Sequence, residues 1–410
     1  MPLPFTPLAE KLSSSVPFVG PEALERRMGA LFRARVGANE NVFGPSPEVI
    51  AAIAAAAPET WKYCDPEIHD LKLALAAHHK VAPENVIVGE GIDGLFGLAV
   101  RLFVEPGVSV ATSLGAYPTF NFHVHGFGGR LVTTPYVDGR EDPRSLLDLA
   151  RREQARLIYF ANPDNPMGSW WPAADVNRMI AGLPENCLLM LDEAYGEFAP
   201  AGTLPPLDVT NPRVLRFRTF SKAYGMAGLR VGYALGQAEL IKAFDKVRNH
   251  FGVTRLGQAA AIAALADQAH LITVLRRVSE ARETIARIAH GNGLTPLPSA
   301  SNFVAIDCGR DGAYAKRVLE ALMQRGVFVR MPGVEPLNRC IRVSAGTPAD
   351  LEIFARELPA ALNAAGESRD RPRPAFPCRP VWRQSLQHVC PGSARHRVRS
   401  LSAGGCHRRR

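Results

Sequence analysis

Residues 86–97 read VIVGEGIDGLFG. An apolar, β-branched run ends at Val88, glycines follow at Gly89, Gly91 and Gly94, and an apolar helix-like stretch continues from Leu95 to Phe103. That is the pattern of a strand, a tight turn and a helix. Free N–H groups at a helix N-terminus attract anions, so the turn is a candidate phosphate cradle. The GEGIDG spacing also matches a dinucleotide fingerprint, which needs an acidic residue at the end of the next strand to hold the ribose. That strand is expected at Val108 to Thr112, and no Asp or Glu lies between Glu105 and Asp138. The cradle is therefore expected to serve some other phosphate compound.

The neighbouring sequence sets this turn in a larger pattern. From Val86 to Tyr233 short apolar runs (VIV, VSVAT, RLVTTP, RLIYFA, CLLMLDEA, VLRFRTF, RVGYAL) alternate with amphipathic stretches such as Pro143 to Glu153 and Ala173 to Leu183. Alternation of this kind predicts an α/β fold with a mainly parallel sheet flanked by helices, whose functional groups gather at the carboxyl ends of the strands. Long amphipathic patterns at Ala238 to Asn249 and Gln258 to His290 come next. SNFVAID, a helix near Tyr314 to Arg325, VFVRM, CIRVSAG and a helix at Pro348 to Ala364 then predict a smaller α+β domain. The first 40 or so residues carry no strong strand pattern and are expected to pack on that domain. The expected division is 1–42 for this segment, 43–265 for the large domain, 266–365 for the small domain and 366–410 for a tail.

Composition narrows the function classes. The 410 residues are 47% hydrophobic, enough for substantial cores. No run of 18 uncharged apolar residues occurs, and MPLPFTPLAEKLSSS lacks the form of a signal peptide, so a cytoplasmic protein away from membranes is expected. Seven cysteines without C-x-x-C spacing indicate neither a zinc site nor a disulfide framework. The net charge of +9 suggests nucleic-acid binding until it is located. Residues 367–410 hold eleven Arg and two acids, which accounts for all of it and leaves the remaining chain neutral. No nucleic-acid partner is expected for the body. The tail, rich in Arg, Pro, Ser and Cys without periodicity, is expected to be disordered. Metal binding has little support: His78 and His79 are adjacent on a helix, and His123 and His125 lack ligands at suitable spacing.

The chemistry concentrates in RTFSKAYGMAGLRVG, residues 218–232. Lys222 follows a strand, stands beside Ser221 and precedes Arg230 by eight residues. A lysine so placed suits a Schiff base to an aldehyde whose phosphate is held nearby. Guanidinium grips phosphate with a fixed fork, whereas the lysine must be able to lose its proton.

This stretch resembles the pyridoxal-phosphate lysine motif of the fold-type I aminotransferases, and most closely that of the histidinol-phosphate aminotransferases. ANENVFGPSP at 38–47, KYCDP at 62–66, GEGIDG, AYPTF, NPDNPMG at 162–168, LDEAYGEF at 191–198 and CIRVSAGTP at 340–348 agree in order, over roughly residues 30 to 365. The resemblance implies a fold-type I transferase, pyridoxal 5'-phosphate as cofactor, transfer of an amino group to a keto or aldehyde acceptor, and a homodimer with shared active sites. Lys222 would be the Schiff-base lysine and the base that moves the substrate proton. Asp192 would pair with the pyridine N–H, and Asn165 and Tyr195 would hydrogen-bond the ring oxygen. Tyr117 would stack on the ring. Ser221, Arg230 and the N–H groups of Ile92 and Asp93 would hold the phosphate, with Tyr63 reaching the neighbouring subunit's phosphate. Arg342, Arg330 and Asn41 would meet the substrate, an amino acid or amino phosphate.

Three departures bear on the substrate. Gly94 stands where the family usually has Glu, Met167 replaces a Thr, and in KVRNHFGVTRLGQAA His250 takes the place of a proline, with Arg255 close behind. If that segment lines the site, a decarboxylase or an oxidase of a cationic amino acid becomes an alternative on the same cofactor. From another class, the rival is a nucleic-acid-binding protein acting through its tail, which removal of residues 367–410 would disable.

Overall fold

The computed structural model describes residues 3–14 and 19–367; the expected tail lies outside them. Twelve strands occur among the described residues. A short β1 (Ala34–Arg35) precedes the seven that build the large sheet: β2 (Val86–Glu90), β3 (Ser109–Ser113), β4 (Arg130–Thr134), β5 (Leu157–Ala161), β6 (Leu188–Asp192), β7 (Val214–Thr219) and β8 (Val231–Leu235). Their order is β2-β8-β7-β6-β5-β3-β4. All pairs are parallel except those of β8, which runs antiparallel to both β2 and β7. Every strand except β8 therefore points the same way.

Strand periodicity explains the double-sided core. Along β5, Leu157 and Tyr159 join one hydrophobic cluster, while Ile158 and Phe160 join another on the opposite face. Leu188 and Met190 of β6 share the first face, with the helix Gly91–Phe103; Leu189 and Leu191 share the second, with the helices Pro143–Arg152 and Ala173–Ala181. The helices start where the sequence provides caps. Asp142 accepts from the Ser145 N–H ahead of Pro143, and Ser46 accepts from the Val49 N–H ahead of Pro47.

The remaining strands are β9 (Thr295–Pro296), β10 (Phe303–Asp307), β11 (Val327–Phe328) and β12 (Cys340–Ser344). Antiparallel β12-β10-β9 forms a second sheet, and β1 pairs in parallel with β11. The incoming chain continues along this region, with Val36 O accepting from the Ser344 N–H at 2.8 Å.

Several expected boundaries move. The helix at the glycine turn begins at Gly91 rather than Leu95, so Gly94 lies within it. The pattern at Gln258 to His290 is two helices, Arg255–Ala266 and Gln268–Gly291, bent by 82° at Asp267, whose carboxylate caps the second through His270 N. The helix at Ala238 stops at Ala243 and tightens into one 3₁₀ turn. No single helix among the described residues is long and apolar enough to cross a membrane.

Candidate active site

Because β3, β5, β6 and β7 all end at one edge of the sheet, the chain just beyond them delivers Tyr117, Asn165, Asp192, Tyr195, Ser221 and Lys222 to that edge. The reversed strand β8 adds to it. It begins at Val231, opposite Glu90 of β2, so Arg230 stands beside Gly91. Residues scattered between 91 and 230 in sequence thus meet where the strand topology requires.

Lys222 is half-buried, and its Nζ donates a 3.3 Å hydrogen bond to Asn39 O and lies 5.8 Å from the centre of the Tyr195 ring. Burial pushes its pKa down to about 8, aided by the charges of Arg342 and Arg230 and opposed by Asp93 and Glu40. Such an amine has a substantial neutral fraction near neutral pH. Asn39 links the surroundings. It adopts φ +56, its Nδ2 donates to Tyr195 Oη at 3.0 Å, and its N–H donates to Ser344 Oγ at 3.0 Å. Asn302 Nδ2 donates back to its carbonyl at 3.0 Å.

Asp192 occupies the same sheet face as Tyr159, whose hydroxyl donates to Asp192 Oδ2 at 2.6 Å. The Ala194 N–H donates to Oδ1 at 2.9 Å. Burial raises the Asp192 pKa to about 6, against the lowering effect of these two bonds. A cation set opposite this carboxylate would return it to the ionised form. Beneath β6, the adjoining Glu193 is completely buried and accepts from Arg216 Nη2 at 2.6 Å and Arg218 Nε at 3.0 Å. That pairing explains how β7 carries two arginines inside the fold.

Asn165 Oδ1 accepts from Arg342 Nη1 at 2.5 Å, which leaves its Nδ2 hydrogens to donate elsewhere. Arg342 packs over the Phe303 ring at 4.9 Å, and its Nε is buried with no hydrogen-bond partner. Burial lowers its pKa to about 10, partly offset by Tyr195. Arg330 joins Arg342 through an isolated backbone bridge; its guanidinium donates to Val19 O at 2.7 Å and stacks on Phe328. Asn41, expected at the substrate, directs its carboxamide at the chain: Nδ2 donates to Ala223 O at 3.0 Å, and Oδ1 accepts from the Phe43 N–H at 3.1 Å.

The other end of the site suits a phosphate. The helix Gly91–Phe103 has no side-chain cap, so the first-turn N–H groups, those of Ile92 and Asp93 among them, have no partner within the helix. Gly91 sits at φ +71, and a Cβ there would collide with the Arg230 guanidinium. Arg230, itself at φ +55, donates to Ser221 Oγ at 3.4 Å and lies 3.5 Å from Asp93 Oδ2. Asp93 Oδ1 is buried and unpartnered. Two cationic groups, an uncapped helix, a hydroxyl and orphaned polar atoms around a titratable lysine fit pyridoxal phosphate, which brings an aldehyde, a ring nitrogen and a phosphate. Among the described residues no group of three or more His, Cys, Asp or Glu could hold a metal ion.

Tyr63 is exposed and its ring lies 4.9 Å from that of Phe251. Arg255 donates to Tyr63 O at 2.5 Å, and His250 is exposed. Glu90 fills the space beside Gly94, where an added Cβ would come within 3.4 Å of Glu90 Cβ and Oε2. Met167 is buried with Tyr136, Leu337 and Cys340. Sequence reading missed Asn39 and Tyr159. An Asn able to hold φ > 0 within ANEN was the available signal for the first; Tyr159 reads as a core residue, and only pairing of β5 with β6 brings it to Asp192.

The aminotransferase class I and II family model matches residues 35–358. A histidinol-phosphate aminotransferase of Anaeromyxobacter sp. (strain Fw109-5) is 37% identical over 370 residues, 89% of this chain and 100% of that protein. Histidinol-phosphate aminotransferase 2 of Carboxydothermus hydrogenoformans is 34% identical over 353 residues, 85% of this chain and 96% of its own. Among solved structures, histidinol-phosphate aminotransferase from Sinorhizobium meliloti in complex with pyridoxal-5'-phosphate superposes with a TM-score of 0.86 at 57% identity, covering 88% of this chain and 98% of that one.

Proposed function

The chain belongs to the class I and II aminotransferase family, and on that premise we propose that it transfers the amino group between histidinol phosphate and a 2-oxo acid of the glutamate type. It is a pyridoxal-phosphate-dependent enzyme. The observation that carries the reading is the convergence of a lysine of lowered pKa, a buried carboxylate and an uncapped helix beside an arginine on one sheet edge. Relatives named as histidinol-phosphate aminotransferases support the substrate.

When bound, pyridoxal phosphate supplies a reactive aldehyde and an electron-withdrawing ring. We assign Lys222 Nζ as the group that would hold that aldehyde and as the base that would move the proton at the substrate's α carbon. Its lowered pKa keeps it able to do so. The Asp192 carboxylate would hold the ring-nitrogen proton. Asn165 Nδ2 and the Tyr195 hydroxyl donate to the ring oxygen, since Arg342 already takes Asn165 Oδ1 and Asn39 already donates to Tyr195 Oη. Tyr117 would stack on the ring. Ser221 Oγ, Arg230 and the Ile92 and Asp93 N–H groups hold the phosphate. Arg342, with Arg330 behind it, receives the substrate's anionic group, and Asn41 steadies the loop after Lys222 through Ala223. We further infer a homodimer in which exposed Tyr63 serves the partner's phosphate, and a cytoplasmic location, which the four free buried cysteines among the described residues suit.

The test is an absorbance spectrum of the purified protein, then anaerobic addition of glutamate and histidinol phosphate separately. A visible cofactor band that Lys222→Ala removes, and that both amines bleach, is expected. Bleaching by arginine alone would assign a different reaction on the same cofactor. A protein with no band after incubation with pyridoxal phosphate would sink the reading.

A further inference from the structure

Two buried acids that the mechanism above does not use lie close to each other, and one of them feels the charge of Arg342. Glu141, from the chain before helix Pro143–Arg152, and Asp164, from the turn after β5 that carries Asn165, are each 1% exposed. Asp164 Oδ1 accepts from the Tyr136 hydroxyl at 2.8 Å, and Oδ2 from the Met167 N–H at 3.1 Å. Glu141 Oε1 accepts from the Ala161 N–H at 3.1 Å, while its buried Oε2 is in no well-formed hydrogen bond; the side chains of Ser113 and Asp164 are the polar groups close to this carboxyl. Neither acid belongs to an ion pair among the described residues.

Two neighbouring buried carboxylates cannot both stay ionised without a cation paired to each. The orphaned Glu141 Oε2 is a natural seat for a proton that Asp164 can share. Burial holds Glu141 well above the carboxylate range, with the charge of Asp164 adding to it. It raises Asp164 to about 7, while Arg342 pulls Asp164 back down. The charged and titratable groups around the pair are Tyr136, Asp192, Tyr159, Tyr195 and Arg342, and Arg342 in turn interacts with Arg330, Tyr117 and Lys222. Of these, Arg342 is the cation whose charge acts on Asp164.

We propose that Glu141 and Asp164 share one proton, and that the single negative charge they keep is the resident counter-ion of Arg342, which an incoming substrate anion must replace. The proposal rests on Arg342 as the substrate-anion site assigned above. Asp164 is then a specificity-setting residue that touches Asn165 and Arg342 only through the field and the turn, and its loss should strengthen anion binding. A merely structural role would weaken it.

The experiment measures the apparent dissociation constant of glutamate in the half-reaction of the holoenzyme, across a pH series spanning about 7. In the wild type, affinity should fall as pH rises through that value, because the pair ionises and competes for Arg342. Asp164→Asn should remove the break and bind glutamate about tenfold more tightly on its alkaline side. Glu141→Gln can donate to Asp164 without yielding a proton, so the break should move to lower pH. Weaker binding in Asp164→Asn at every pH, or an unchanged break, would overturn the proposal. If the variants lose their cofactor the wild-type profile decides alone, and a flat one overturns it. A holoenzyme whose absorbance responds to neither glutamate nor histidinol phosphate instead fails the functional reading.

Discussion

At the residue scale the chemistry turns on how an ordinary lysine becomes a usable nucleophile. Lys222 reaches a pKa of about 8 because burial and the charge of Arg342 both disfavour its ammonium form. In the cofactor-free protein, capture of pyridoxal phosphate should therefore accelerate with pH up to about 8 and level off above it. Arg342→Gln removes a positive charge and should move that break to higher pH. Stopped-flow reconstitution checks both, and a pH-independent rate in the wild type would contradict the assignment. The lysine was legible because Ser221, Lys222 and Arg230 fall within one short motif. Asn39 was not. Its neighbour Asn41 has the same side chain two positions on, and only the positive φ at residue 39 aims one carboxamide at Tyr195 while the other braces Ala223.

At the scale of elements, the phosphate cradle combines an uncapped helix with a reversed strand. Gly91 and Arg230 hold φ +71 and +55, and they are adjacent because β8 runs back alongside β2. Gly91→Ala adds a left-handed penalty of about 1 kcal/mol and drives a methyl group into the guanidinium. Its affinity for pyridoxal phosphate, measured by equilibrium dialysis, should fall at least about tenfold while the Lys222 amine still reacts. An unchanged affinity would show that Arg230 does not hold the phosphate. The glycine pattern was legible as an anion turn, and its helix start was misjudged only because glycines 91 and 94 look like loop residues. Tertiary packing overrides that local preference. Likewise, the bend at Asp267 was hidden by amphipathic patterns that run on from one helix to the next.

At the scale of the whole molecule, shared sites give a complementation test. A subunit carrying Tyr63→Ala and another carrying Lys222→Ala should each be impaired as homodimers. Refolded together, hybrids regain one intact site in two, so about a quarter of the sites should recover by random assortment. No recovery despite hybrid formation would confine Tyr63 to its own subunit. The sequence by itself determined the alternation of strand and helix, the lysine motif, the acid at the end of CLLML and the neutral charge of the body, since each depends on local periodicity or on side-chain type. Only the tertiary structure decided which groups meet: Tyr159 with Asp192 across two strands, Arg342 with Asn165 from 177 residues away, and Glu141 with Asp164 in the buried interior. Those encounters depend on strand order and register, and in a buried site it is the neighbour, not the residue, that sets the charge.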